Sequence, residues 1–309
     1  MLILYTLLGI SAGLAIAIQS AINSGLRQHL HSPFLTSAVS FGVGTLALLL
    51  VCLFTKQSLP DGSTVLQSAW WLWIGGALGV IGLTTNILIF PHLGAIQTAI
   101  MPILGQILMG LLIDTFGWFH LSQQDFTTKR FIGLMLSLLG IFLAVVWANR
   151  QRFEASIANK ALWFWRILGI IAGMITTTQA AVNGQLGVML HSPLLASLWS
   201  FMLGSILLWS YAIFIEGSAK RLFEILSLNI GKIWWTGGLL GAWFVLGNAT
   251  LVPSIGAGQT VMLVLLGMIL GSLCLEQGGF LGAKQKAIST PQIIGLMALL
   301  IGVALIRLL

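Results

Sequence analysis

Hydrophobic and polar positions alternate along the chain on a scale of about 20 residues, with long apolar runs separated by short polar connectors. A helix needs about 20 mostly apolar residues to cross the hydrocarbon core of a bilayer. Ten runs are long enough: 2–23, 33–54, 70–90, 95–114, 130–148, 163–183, 194–215, 233–252, 256–276 and 291–308. The pattern predicts an all-α integral membrane protein with ten transmembrane helices.

Composition supports lipid as the solvent for most of the chain. Hydrophobic residues make up 58% of the 309 positions and charged residues 7%, whereas soluble domains carry about 25% charged residues. The net charge of +7 comes from basic residues in the connectors. Such residues set membrane orientation and contact anionic lipid headgroups. No basic stripe with interleaved aromatic residues is present, so nucleic acid is not an expected partner.

The two halves of the chain repeat each other. Residues 9–50 match 169–210 without a gap, and the His-Ser-Pro sequence at 31–33 recurs at 191–193. The match resumes between 75–140 and 237–302, with an offset two residues longer. An apolar bias alone would match Leu with Ile. It would not align Gln, Asn, His, Ser and Pro in the same order, so the chain is a duplication.

Each copy contains five predicted helices. Because five is odd, the second copy enters the membrane from the opposite side, and the copies are inverted repeats. We predict a first repeat over 1–150, a linker over 151–162 and a second repeat over 163–309. Inverted repeats are typical of secondary transporters, whose substrate site lies near the repeat interface.

The basic residues also predict an orientation. Lys56, Lys129, Arg130 and Arg307 fall on one side, and Arg27, Arg150, Arg152, Lys160, Arg166, Lys220, Arg221, Lys232, Lys284 and Lys286 fall on the other. The positive-inside rule places the second set in the cytoplasm. Both termini are therefore predicted to be non-cytoplasmic.

Amide side chains are the candidate substrate-binding groups. Gln19 and Asn23 lie four residues apart, hence on one helix face, and Gln179 and Asn183 repeat this arrangement. A buried amide must find a hydrogen-bond partner. The two faces therefore either line a central cavity or join helices, which is a common role for Asn and Gln in membranes. The other duplicated amides among the candidates are Asn86, Asn248, Gln97 and Gln259.

Short sequence motifs between the runs predict helix boundaries. Ser32-Pro33 and Ser192-Pro193 are typical of helix starts. The segments 91–95 and 253–257 combine Pro with Gly-Ala and predict tight turns. His31 and His191 could titrate near neutral pH, although a His at a helix boundary is more often interfacial.

One acidic residue ends the fourth predicted helix of each repeat. Asp114 and Glu276 are candidates for coupling to an ion, because an acid within the membrane is a functional hypothesis by default. Structural pairing with Lys, Arg or backbone is the alternative. No predicted span has an acid near its middle, which favours a neutral or amphiphilic substrate over a cationic one.

The duplicated block resembles the YdcZ family of the drug/metabolite transporter superfamily. The matching residues are Gly13, Gln19, Asn23, Leu26, His31-Ser32-Pro33, Ser40-Phe41 and Gly44, and later Gly75-Gly76, Gly79, Pro91, Gly94-Ala95, Gly105-Gln106, Asp114 and Gly117. The resemblance covers both halves and implies a ten-helix inner-membrane exporter without an agreed substrate, in the form of a fused pair. In the second copy Met268 replaces the glutamine found at Gln106.

The expected function is secondary transport of a small neutral or amphiphilic solute by alternating access. A lipid flippase on the same fold is the alternative, and a passive channel is less favoured by the inverted duplication. No nucleophile–base pair, HExxH helix or Walker A motif is present, so we expect neither an enzyme nor direct use of ATP. No metal or cofactor is expected. One chain carries both repeats, so a monomer suffices, although two chains could form a homodimer. Membrane lipids are the other expected partners.

Overall fold

The computed structural model describes residues 1–147, 162–217, 220, 231–282 and 288–308. Within these residues, seven helices are long and apolar enough to cross a membrane, and three further apolar helices are shorter. The predicted membrane fold is therefore correct, while the count of ten spans stays a prediction. The predicted linker 151–162 lies outside the described residues except for Leu162.

The helices follow the chain in the order that the apolar runs predict. Their bounds are α1 Leu2–Leu30, α2 Pro33–Phe54, α3 Gly62–Gln67, α4 Gly75–Phe116, α5 Thr128–Ile141, α6 Trp163–Met189, α7 Pro193–Ser210, α8 Gly237–Ile255, α9 Ala257–Gly278 and α10 Thr290–Leu308. Short π-helical segments, Phe142–Val146 and Tyr211–Ile215, extend α5 and α7.

The predicted helix starts at the two Ser-Pro pairs are confirmed. The Ser32 hydroxyl accepts a hydrogen bond from the backbone N–H of Leu35 at 3.0 Å, and Ser192 accepts one from Leu195 at 3.2 Å. Each proline occupies the first turn, where its missing N–H costs nothing. His31 and His191 stand just before these caps with positive φ and exposed side chains.

The two ends of α4 run in opposite directions, although all residues between Gly75 and Phe116 are assigned to one helix. Its 42 residues would extend about 63 Å as a straight helix, twice the thickness of a hydrocarbon core. Both Ile89 and Met101 nevertheless contact Gly169 of α6. The first half of α4, residues 75–89, thus runs antiparallel to α6, and the second half, residues 100–116, runs parallel to it.

The corresponding reversal in the second repeat occurs at a glycine. Gly256 separates α8 from α9 with a φ of 90°, a backbone conformation that L side chains rarely adopt. Gly9 of α1 contacts Leu251 before this turn and Leu263 after it. The tight turn predicted over 253–257 is therefore present at Gly256, with Pro253 still inside α8. The turn predicted over 91–95 agrees with the reversal of α4 between Ile89 and Met101, although residues 91–95 themselves belong to the helix.

Contacts between the repeats establish that the second copy is inverted. Helix α6 runs parallel to the second half of α4, which is the fourth apolar segment of the first repeat. The first and fourth segments of an up-and-down repeat run in opposite directions, so α6 is antiparallel to α1. Consistent with this, α1 runs parallel to α9, as the contacts of Gly13 with Gly267 and of Ala17 with Gly271 show.

Glycine pairs allow these helices to approach backbone to backbone. A Cβ atom built on Gly13 would overlap the carbonyl oxygen of Val264, and one built on Gly173 would overlap that of Pro102. Small residues at such crossings are how membrane helices gain close packing. Because each crossing joins one repeat to the other, the two copies interlock instead of forming separate bundles.

We expect Gly13→Ala and Gly173→Ala each to lower the free energy of unfolding by about 1–3 kcal/mol, because the added methyl group has no space. Gly62→Ala is the matched control, since nothing lies within 4 Å of a Cβ atom at that position. Thermal unfolding in detergent measures the difference. Equal midpoints for Gly173→Ala and Gly62→Ala would contradict the close crossing of α6 and α4.

Candidate functional site

Each amide pair packs on glycines of the other repeat. A Cβ atom built on Gly79 would lie 2.6 Å from Nε2 of Gln179, and one built on Gly75 would overlap Oδ1 of Asn183. Gln19 and Asn23 make the equivalent contacts with Gly241 and Gly237 of α8. The glycines leave room for amide side chains between helices that are almost in backbone contact.

Hydrogen bonds hold three of these four amides. Asn183 donates from Nδ2 to the Ser200 hydroxyl at 3.1 Å. Asn23 and Gln19 both donate to the Ser40 hydroxyl, at 3.3 and 3.4 Å. Among the described residues, Oδ1 of Asn23, Oδ1 of Asn183 and Oε1 of Gln19 are buried without a partner.

Gln179 differs from its counterpart Gln19. In the part of the chain that the structure describes, its side chain has no hydrogen-bond partner. The two residues occupy equivalent positions of the duplication, yet only Gln19 is tied to a serine. An amide without a protein partner is available to a ligand.

A cavity of about 30 Å³ opens beside Gln179. Helices α4, α6, α8 and α9 form its walls, so both repeats contribute to it. Its lining residues are Gln106, Thr176, Thr177, Gln179, Ala180, Asn183, Phe244, Val245, Asn248, Val261 and Val264. About 10–15 Å³ suffices for one water molecule, so the cavity is too small for a larger solute in this conformation.

The lining combines apolar side chains with a few polar groups, and none of it is charged. Four amides and two threonines are among the lining residues, with Phe244 and three valines as apolar neighbours. The two threonine hydroxyls and the amino groups of Asn183 and Asn248 already donate to protein acceptors. The side chain of Gln106 has no partner among the described residues, although its backbone carbonyl accepts a hydrogen bond from Thr177 at 3.3 Å. This chemistry suits a neutral group that donates and accepts hydrogen bonds.

The structure brings together three of the amides predicted to bind substrate: Gln179, Asn183 and Asn248 line one cavity. Gln19, Asn23 and Gln259 do not line it. The side chains of Asn86 and Gln97 lie outside the described residues. Substrate contact by any of these amides stays a prediction.

Sequence reasoning did not select Thr176, Thr177 or Phe244, because hydroxyl groups and aromatic rings are common in membrane helices. The sequence did distinguish Gln106, because Met268 replaces this glutamine in the other copy. A departure from an otherwise repeated pattern can mark a position where the two halves have different roles.

Asp114 caps a helix from the other repeat. It is 3% exposed, and its two carboxylate oxygens accept hydrogen bonds from the backbone N–H groups of Ala257 at 2.7 Å and Gly258 at 3.0 Å. These are orphan donors at the start of α9, where a negative charge also complements the helix dipole. Asp114 thereby fixes the turn at Gly256.

Two polar residues brace this cap. Arg130 lies 4.0 Å from Asp114 and contacts the side-chain oxygen of Gln124. Gln124 in turn donates to the carbonyl of Ile255 at 3.4 Å, at the end of α8. The cap accounts for Asp114 structurally, and ion coupling through Asp114 or the half-buried Glu276 stays a prediction. No group of three His, Cys, Asp or Glu side chains that could hold a metal occurs among the described residues.

Comparisons with known proteins agree with this architecture. A family model described as "Putative inner membrane exporter, YdcZ" matches residues 4–143 and again 164–305, once for each repeat. Twelve solved chains match. One is a crystal structure of a protein 16% identical to this chain, with a TM-score of 0.67 over 98% of this chain and 96% of the other. At that identity the likeness shows the fold alone. No curated protein matches the chain.

We expect Asp114→Ala to lower the free energy of unfolding by about 1–3 kcal/mol, because the buried N–H of Ala257 loses its acceptor. Asp61→Ala is the control, since Asp61 is exposed and makes no side-chain capping bond at α3. Thermal unfolding of both variants tests the cap. A loss for Asp61→Ala as large as for Asp114→Ala would argue against it.

The two equivalent glutamines should respond differently to truncation. Gln19→Ala removes a hydrogen bond to Ser40 and should destabilise the protein by about 1 kcal/mol. Gln179→Ala should destabilise the protein less than Gln19→Ala, because it removes packing on Gly79 but no hydrogen bond to a described residue. The comparison needs only unfolding midpoints in one detergent, and a reversed order would show that Gln179 is the structural member of the pair.

Proposed function

Because this chain belongs to the YdcZ family of the drug/metabolite transporter superfamily, we propose that it exports a small neutral or amphiphilic solute across the inner membrane by alternating access. The family establishes a multi-pass inner-membrane protein of the exporter class. The solute class, the site and the transport cycle are the proposal. The observation that carries it is the uncharged, amide-rich cavity between α4, α6, α8 and α9.

The absence of charged side chains and the presence of amide and hydroxyl groups in the cavity both favour a neutral solute. None of its lining residues carries a charge that could neutralise an ionic substrate. An ion in such a site would lose its hydration without a compensating partner, which costs far more than burial of a neutral polar group. Amide and hydroxyl groups, in contrast, can replace the water around a neutral solute.

The small volume of the cavity supports a transport cycle in which another conformation, more open than this one, admits the solute. Drug-sized ligand sites are about 300–1,000 Å³, so the walls must move apart before a solute can enter. The wall helices belong to two interlocked inverted repeats, so the moving bodies are groups of helices drawn from both repeats, which shift against one another around the site. The same motion in the opposite sense opens the other side.

The proposal includes the partners expected from the sequence. One chain supplies both repeats, so a monomer is sufficient for transport. The solute and the surrounding lipids are its only required partners. A lipid substrate is the main competing outcome, and the following experiment separates it from solute transport.

We expect purified protein in detergent to be stabilised by benzamide more than by benzoate or benzyltrimethylammonium. The three compounds share a ring but differ in charge, and a ligand of the folded state raises its unfolding midpoint by mass action. Gln179→Ala should abolish the benzamide shift, and Gln19→Ala should retain it. Stabilisation by benzyltrimethylammonium alone would contradict the neutral-solute proposal.

Transport is tested in proteoliposomes loaded with unlabelled benzamide. A carrier should accelerate uptake of radiolabelled benzamide by counterflow above the rate in protein-free liposomes, whereas a channel gives no acceleration by preloading. In the same vesicles, a fluorescent phosphatidylcholine reports lipid movement between leaflets. Protein-dependent lipid movement without benzamide counterflow would replace solute export by the flippase alternative.

A further inference from the structure

The duplication repeats the lining of this cavity only in part. Each lining residue has a counterpart at the equivalent position of the other copy. The three amides Gln179, Asn183 and Asn248 correspond to Gln19, Asn23 and Asn86, so that part is identical in both halves. The other polar groups differ between the halves.

Three hydrogen-bonding residues of the cavity have apolar counterparts. Gln106, Thr176 and Thr177 correspond to Met268, Ile16 and Ala17. The opposite exchange occurs once, where Ala180 corresponds to Ser20. The hydroxyls of Ser20 and Thr176 both donate to a carbonyl one turn earlier in their own helix, at 2.7 and 2.9 Å, so toward a ligand each can only accept. The two copies thus share a set of amides, while three of the four other polar positions belong to the lining of this cavity.

Helix packing differs at the same place. At the crossing of α1 and α9, Gly271 packs on Ala17, with 2.9 Å between a built Cβ and that of Ala17, which keeps these helices close beyond the Gly13–Gly267 contact. The counterparts of Gly271 and Ala17 are Met109 and Thr177, both larger. The second half of α4 therefore packs closely on α6 at Gly105 and Gly173. One turn later, beside the cavity, both helices carry larger side chains.

We propose that the solute binds off the pseudo-two-fold axis, in the cavity between α4, α6, α8 and α9, and that Gln106 and Thr176 determine its specificity. The ligand is a neutral molecule with one primary amide or hydroxyl group and a compact apolar end. This inference rests on the proposed function. It adds that the two inverted halves are not equivalent in substrate contact.

The chemistry of the walls defines both ends of this ligand. Gln106 and Gln179 each present a carbonyl and an amino group without a partner among the described residues. A primary amide or a hydroxyl can pair with such groups as donor and acceptor together. Phe244 faces the same cavity, and its counterpart is Gly82. The aromatic wall for the apolar end is therefore also confined to one half.

The test exchanges cavity residues for those of the other half. Gln106→Met/Thr176→Ile gives the cavity the residues of its counterpart, and Ile16→Thr/Met268→Gln is the matched reciprocal control. Equilibrium dialysis of the purified protein with labelled benzamide and with toluene, which lacks the amide, measures affinity. Thr176→Val, which retains the shape of threonine, provides a second variant if the double variant folds poorly.

We expect Gln106→Met/Thr176→Ile to weaken benzamide binding about ten-fold or more through loss of two hydrogen-bonding groups, and toluene binding to be unchanged. Thr176→Val should weaken benzamide binding less. The reciprocal control should bind benzamide like the native protein. Equal weakening by both double variants would indicate binding on the axis and overturn the proposal.

Two other outcomes separate this inference from the proposed function. If Gln106→Met/Thr176→Ile has no effect while Gln179→Ala abolishes binding, the solute site stands but its off-axis specificity is wrong. If none of these variants changes benzamide binding, the cavity is not the solute site and both proposals fail. Absence of benzamide binding to the native protein overturns the ligand class.

Discussion

Close contact between glycine backbones of opposite repeats is the constraint on which the rest of this structure depends. Lipid supplies no hydrophobic force between helices, so association relies on close packing and on hydrogen bonds between helices. Gly13 and Gly173 supply the first at equivalent crossings. The amides that pack on Gly237 and Gly75 supply the second through serine hydroxyls. The glycine contacts join one copy to the other, whereas the amide–serine hydrogen bonds lie within each copy and fix the amides that pack across the crossing.

This interlocking also explains where a solute can be accommodated. Helix α6 lies between the two halves of α4, as α1 lies between α8 and α9, so every movement of one repeat displaces a helix held by the other. Beyond the glycine crossings, Gly271 packs on Ala17, whereas Thr177 reaches α4 through a hydrogen bond to the Gln106 carbonyl, and the cavity lies beside Thr177. Asp114 holds the neighbouring turn at Gly256 in place. A fixed turn beside a loosely packed, uncharged cavity is suited to a site around which helices rock.

The sequence was sufficient for features that depend on local chemistry or on duplication. Ser32 and Ser192 mark helix starts because capping involves only neighbouring residues. The inversion follows from the number of apolar runs per copy. The sequence predicted a turn over 91–95, and the contacts of Ile89 and Met101 with Gly169 show that α4 reverses between them, while the residues of this stretch stay helical. The difference between Gln19 and Gln179 was also inaccessible, because identical local sequences acquired different partners from distant helices.

Membrane sidedness of the two His-Ser-Pro motifs tests the interlocked inversion most directly. His31 and His191 are exposed at equivalent helix boundaries, so each can be replaced by cysteine in a chain whose Cys52 and Cys274 have become alanine. A membrane-impermeant maleimide applied to sealed vesicles of known orientation then reports the side of each cysteine. The account predicts that His31→Cys and His191→Cys are labelled from opposite sides of the membrane. Labelling of both from the same side would contradict the inverted repeat, and with it the proposed transport cycle.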